Sequence, residues 1–217
     1  MDIEENYEFS TDWGGTLYCD IKINWYYANR TVDLSMPHYI SSMIHKNQHP
    51  TPKSAQHSQH SWNIPTYGAT QQLTKPPDTT APLALSEVKR IQKSFGTLLY
   101  YVRSGDATML VALGTIAAQQ SIAIQTTSKC VNHLLDYCHT HSGAKLRYHA
   151  SEMILHIHSD ASYNLEAKAR SPAGGQFYLG NTASIRPTII NNGAILNTST
   201  IMRNVMASAS EAKCGSI

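Results

Sequence analysis

Strict alternation of apolar and polar positions opens the readable part of the chain. In "LYCDIKINW", Leu17, Cys19, Ile21, Ile23 and Trp25 fall on one side and Asp20, Lys22 and Asn24 on the other, the pattern of a half-buried strand. After the turn-like "ANR", "TVDLSM" repeats the alternation through Val32, Leu34 and Met36, so the two segments are expected to form a hairpin. Ser35 is then placed to cap a short helix, "PHYISSMIHK", with Pro37 near its first turn.

The period changes further on. In "SEVKRIQKSFGTLLYYVRSG", Val88, Ile91, Phe95, Leu98 and Val102 recur at helical spacing behind a capping Ser86. Asp106 can cap a second helix through "ATMLVALGTIAAQQ", and "TSKCVNHLLDYCHTH" makes a third, stopped by Ser142 and Gly143. Beyond this helical subdomain, "KLRYH", "MILHIHSDA", "GGQFYLG" and the stretch near "GAILNTSTIMRNVM" read as strands, and "SASEAKCGSI" as the start of a helix. The fold class is therefore α+β. Between the hairpin and the helices, residues 47–82 carry six prolines with many Gln, Ser, Thr and His and no apolar period. Such a connector either separates two packed units or drapes over one.

Composition changes this picture little. Seventeen Lys+Arg stand against fifteen Asp+Glu, so any nucleic-acid-binding surface has to be local. The N-terminal "MDIEENYEF" lacks the layout of a secretion signal, and "TMLVALGTIAA" is too short to span a bilayer. The expectation is a soluble intracellular protein, cytoplasmic or nuclear, with no membrane partner. Cys19, Cys130, Cys138 and Cys214 lack paired metal spacing and are read as reduced thiols, and the sequons at Asn29 and Asn197 as chance.

Several groups could carry chemistry. Along "MILHIHSDASY", Met153, Leu155 and Ile157 share one face and Ile154, His156, His158 and Asp160 the other. Two imidazoles and a carboxylate on one face suit a metal, and equally suit a solvent-facing polar edge. His57 with His60, and Cys138 with His139 and His141, are each half of a zinc site without a matching second pair. Lys89, Arg90 and Lys93 could meet phosphates from the outer side of their helix, where charge also serves solvation alone.

The order of segments is more informative than any one of them. "LYCDIKINWYY", "TVDLSMPHYI", "HPTP", "IQKSFGTLLYYVRSGDATM" and "LRYHASEMILHIHSDASY" succeed one another in a way that resembles the C-terminal part of a copia-type retrotransposon reverse transcriptase running into its ribonuclease H domain. The resemblance implies residues 1–48 as the end of the polymerase palm and start of a thumb-like region, and 49–85 as a Pro-rich linker. It implies a helical connection-like subdomain over 86–144, and an incomplete ribonuclease H-like mixed sheet over 145–217.

It also implies chemistry: cleavage of RNA in RNA/DNA hybrids with Mg2+ or Mn2+ held by clustered carboxylates, in a parent that also carries out RNA-directed DNA synthesis. Asp160 stands where the first of those carboxylates ends the first strand. In "SASEAKCGSI", matched to the family's Ser-Ser-x-Glu-Ala-Glu, Glu211 takes the first glutamate position, and Lys213 the second, which supplies the ligand. An ammonium there repels a metal. The family's Tyr-x-Asp-Asp loop and its later aspartate fall outside residues 1–217. The resulting expectation is a retroelement polyprotein fragment without independent catalysis, with an RNA/DNA hybrid, a template-primer or an intact reverse transcriptase copy as partner. Two alternatives stand beside it: a catalytically inactive nucleic-acid-binding module, gripping through Lys89, Arg90 and Lys93, and an unrelated soluble interaction domain.

Overall fold

The computed structural model describes residues 11–61, 78–163, 171–182 and 192–215. They form two antiparallel sheets and a helical layer, an α+β arrangement. The first sheet runs β1 (Leu17–Tyr18), β2 (Ile21–Tyr26), β3 (Thr31–Ser35) and β4 (Lys145–His149), in that order. Sequence-distant β4 pairs with β3 from Thr31 opposite His149 to Ser35 opposite Lys145. KLRYH thus completes the N-terminal sheet and does not join the strands that follow it.

The single strand expected over 17–25 is in fact a hairpin. Cys19 and Asp20 both adopt left-handed backbone (φ 48° and 64°), making a two-residue turn without glycine. The turn reverses the phase of the pattern: Leu17 lies opposite Lys22, not beside Ile21, and is exposed. The hairpin between β2 and β3 forms as expected, from Lys22 opposite Ser35 to Tyr26 opposite Thr31. Its most buried strand position is the polar one, because Asp33, 2% exposed, receives both Arg147 Nε (2.6 Å) and Nη2 (2.7 Å) from β4. That fork holds the Asp33 carboxyl below its ordinary range, the Arg147 hydrogen bonds outweighing the opposing effect of desolvation.

Helix α1 (Tyr39–Lys46) starts after His38, at φ 67° and with no side-chain cap, whereas Ser35 is still in β3. Helix α2 (Leu85–Ser104) starts after Ala84, so Ser86 lies inside its first turn and does not cap it. Asp106 does cap: its carboxylate accepts from Thr108 N–H (3.1 Å) in the short turn leading into α3 (Leu110–Gln119). Helix α4 is Gln125–Thr140. Ile91, Leu98 and Val102 of α2 meet Leu113 and Ile116 of α3, Val131, Leu134 and Leu135 of α4, and Ile40 and Met43 of α1 in one core. Residues on both sides of the Pro-rich segment therefore share a single interior.

The described parts of that segment lie against the helices. Gln56 N–H donates to Thr140 Oγ1 (3.0 Å), His49 Nε2 lies 2.7 Å from Asp136 Oδ1, and His133 Nε2 bonds Ser58 O (3.0 Å), so residues 49–58 run along α4. Its far end pairs with the α3–α4 junction, Leu83 N–H to Ala123 O and Gln125 N–H to Ala81 O (both 3.0 Å). Residues 62–77 of this linker lie outside the described residues.

The second sheet has β5 (Ile154–Ala161), β6 (Pro172–Gly180) and β7 (Ala194–Ile201), each antiparallel to its neighbour, followed by α5 (Ala209–Cys214). No parallel pairing occurs among the described residues, where a mixed sheet was expected; consecutive strands joined in sequence order pair antiparallel. Asn192 ties the two sheets together. Its side chain accepts from His149 N–H (2.7 Å) and donates to His149 O (2.9 Å) and Leu179 O (2.7 Å). A side chain at the adjacent Gly193 would meet Arg147 O at 2.7 Å, so only glycine allows this approach. No helix among the described residues is long and apolar enough to cross a membrane.

Candidate functional site

Asp160 stands near the end of β5, opposite Gly174 of β6, where no cross-strand side chain crowds it. Helix α5 reaches this end of the sheet because the contact is built from small residues. Ala212 is fully buried against Ala173, with Ala161, Tyr163, Met202 and Met206 around them. One residue after Ala212, Lys213 brings its Nζ to 3.8 Å from Asp160 Oδ1. Both side chains are largely exposed, 68% and 81%, so the pair is a solvated one.

Glu211 has a different occupation. Ser208 Oγ accepts from Glu211 N–H (3.1 Å), and Glu211 Oε2 accepts from Ala207 N–H (2.6 Å), so the carboxylate closes a reciprocal cap at the start of α5. The donor set at Asp160, one carboxylate facing an ammonium, does not fit a resident Mg2+ or Mn2+. Among the described residues, no group of three or more His, Cys, Asp or Glu is arranged to hold a metal ion.

The histidines preceding Asp160 on its face serve Tyr178 of β6. His156 stacks on the Tyr178 ring (centroids 5.2 Å apart, 10° between planes) and its Nε2 bonds Asn181 O (3.0 Å). His158 meets the same ring edge-on, with Nε2 3.2 Å from the Tyr178 hydroxyl. The two imidazoles cover the buried Tyr178 ring, while Ile154, His158 and Asp160 on this face stay exposed. The opposite face leaves Leu155, Ile157 and Leu196 exposed.

The three basic residues of α2 separate. Arg90 donates from Nε and Nη2 to Glu87 Oε2 (both 3.2 Å), which neutralises it locally. Lys89 is exposed on the helix. Lys93 lines a cleft of about 750 Å³ with Lys22 of β2, Lys46 of α1, His38, Ser42, Thr16 and Thr97. Asp20 is the one acidic group among the described residues of that lining. Neither Lys22 nor Lys46 was singled out from sequence: each is one polar position among others on its own element, and only the packing of three elements brings them together with Lys93.

The two half-motifs for zinc behave unequally. Cys138 is buried, with its sulfur 3.4 Å from Met109 Sδ, and burial pushes its thiol up to about 12. His57, from the draped segment, places Nδ1 3.2 Å from His141 Nε2 at the end of α4. His60 and His139 are exposed. Comparison of the chain with family models, with curated proteins and with solved structures finds no match.

Proposed function

We propose that the chain is a copia-type reverse transcriptase and ribonuclease H region whose nuclease site has been dismantled. One observation carries this reading: the carboxylate that ends β5 and the lysine of α5 stand 3.8 Å apart, across 53 residues of sequence, where a first-strand carboxylate and a helix glutamate would hold a divalent ion in that family. Three antiparallel strands followed by a capped helix supply the order of elements that the resemblance implies. With an ammonium in the ligand position, the site recruits no metal. Incubation with an RNA/DNA hybrid and Mg2+ or Mn2+ is expected to leave the RNA intact, and Asp160→Asn to change nothing. Robust metal-dependent cleavage that disappears in Asp160→Asn refutes the reading.

A second reading, a nucleic-acid-binding module without catalysis, is favoured by the cleft. Lys22, Lys46 and Lys93 converge from three elements around hydroxyl-bearing side chains, the chemistry that receives a phosphodiester backbone. Exposed Tyr18, Trp25 and Tyr27 of the first sheet's hairpins offer faces on which bases stack. Binding to single-stranded nucleic acid should weaken with salt, with a log–log slope that falls by about one for each lysine neutralised. Affinity that ignores salt, or binding unchanged by Lys22→Gln with Lys93→Gln, excludes this role for the cleft.

A further inference from the structure

We infer that His57 and His141 form a two-imidazole site for Zn2+ that fastens the segment around residues 49–58 to the C-terminal end of α4. The ligand-bearing nitrogens, His57 Nδ1 and His141 Nε2, stand 3.2 Å apart. Two nitrogens bound to one tetrahedral Zn2+ at about 2.0–2.1 Å are separated by about 3.3–3.4 Å, so the pair is already at ligating distance. Each nitrogen offers its lone pair once the ring proton sits on the other nitrogen, which costs no net proton loss from the neutral pair.

The rest of the geometry holds the rings there. His57 is flanked by two anchored neighbours: Gln56 N–H donates to Thr140 Oγ1 (3.0 Å), and Ser58 O accepts from His133 Nε2 (3.0 Å). His141 packs against the Tyr137 ring, with centroids 4.7 Å apart, and meets the His57 ring edge-on at 5.3 Å. The two rings are thus held close before any ion arrives, in an N–H···N hydrogen bond that the ion replaces, and this proximity lowers the cost of binding. Water fills the remaining positions on the ion, since the described residues supply no third ligand. The nitrogen donors select a borderline-soft ion such as Zn2+ or Cu2+ over Mg2+ or Ca2+. An ion here closes a loop between residues 84 apart in sequence, a long clip that restrains the unfolded chain more than a local one.

The inference does not depend on the proposed retroelement origin, and its test is separate from any nuclease assay. ZnCl2 is titrated into the full chain by calorimetry at pH 7.5, with thermal unfolding in parallel. One saturable site is expected, accompanied by a rise in melting temperature, with MgCl2 producing neither. His57→Gln and His141→Gln should each weaken the binding by about tenfold or more, at least the scale of losing an outer-shell support. His60→Gln and His156→Gln should leave it unchanged. Because the glutamine variants lose only exposed or half-exposed rings, they should fold, and far-ultraviolet circular dichroism verifies this. Binding that survives His57→Gln undiminished, binding that follows His60 or His156, or no saturable Zn2+ binding by the unsubstituted chain overturns the assignment.

Discussion

Changing Lys213 to glutamate is the sharpest perturbation of the candidate nuclease site. At 3.8 Å, opposite unit charges attract by about 1.1 kcal/mol in bulk water, and like charges repel by a similar amount. With both side chains mostly in solvent, screening and side-chain entropy reduce either figure to under about 1 kcal/mol. Lys213→Glu should therefore fold, slightly destabilised, with two carboxylates close together at the end of β5. Those carboxylates should take Mn2+ at about 0.1–10 mM, the weak end of carboxylate sites. At ten times the dissociation constant, binding adds about 1.4 kcal/mol to stability. For a chain of this size that is a rise of about 3–6 °C in melting temperature. Differential scanning fluorimetry across a Mn2+ series should show the rise in Lys213→Glu and lose it in Asp160→Asn/Lys213→Glu. The same rise in the unsubstituted protein, or none in Lys213→Glu, would refute the account of Asp160 and Lys213 as neighbours across a vacated ligand position.

Other outcomes follow from the packing. Leu134→Ala, at a fully buried position of α4, should cost about 2–5 kcal/mol, measured by urea unfolding. Of the four thiols, the exposed Cys19, Cys130 and Cys214 should react with iodoacetamide at pH 8. Cys138, held as a thiol up to about 12 and buried, should react only after denaturation, as intact-mass spectrometry would show. The Asp33 carboxyl is depressed by Arg147, so its contribution is complete above the unfolded value near 4 and disappears as pH falls through its lower folded value. Asp33→Asn should accordingly be less stable than the parent at pH 7, with the gap narrowing in the acid range of a urea-midpoint series.

What could be read from the residues follows from how local each signal is. The stripe Ile91, Leu98 and Val102 and the Asp106 cap need only their own neighbours, and both stand in the structure. Strands β5 to β7 and the start of a helix in "SASEAKCGSI" were legible for the same reason. The turn at Cys19 and Asp20 was hidden because neither residue is a glycine, and an alternating run continues in appearance through a two-residue reversal. Helix starts at His38 and Ala84 have no side-chain cap, so the nearby serines misdirected the boundaries. Long-range partners were beyond reach altogether. Asp33 with Arg147, the three lysines of the cleft, and His57 with His141 join residues that no spacing rule connects. At the candidate nuclease site, Asp160 and Lys213 were both visible as residues, whereas the capping role of Glu211 depends on how the chain enters α5.

The pairing of β4 with β3 also sets an order of events during synthesis. While the ribosome is adding residues 36–144, the outer edge of β3 presents unpaired backbone groups, and Asp33 has no Arg147 to meet. Only after His149 emerges can the first sheet close, so its completion is a late, high-contact-order step that follows the four helices. Expression of residues 11–144 alone should yield a sticky, aggregation-prone product, while extension to residue 150, whose N–H bonds Arg30 O, should rescue it.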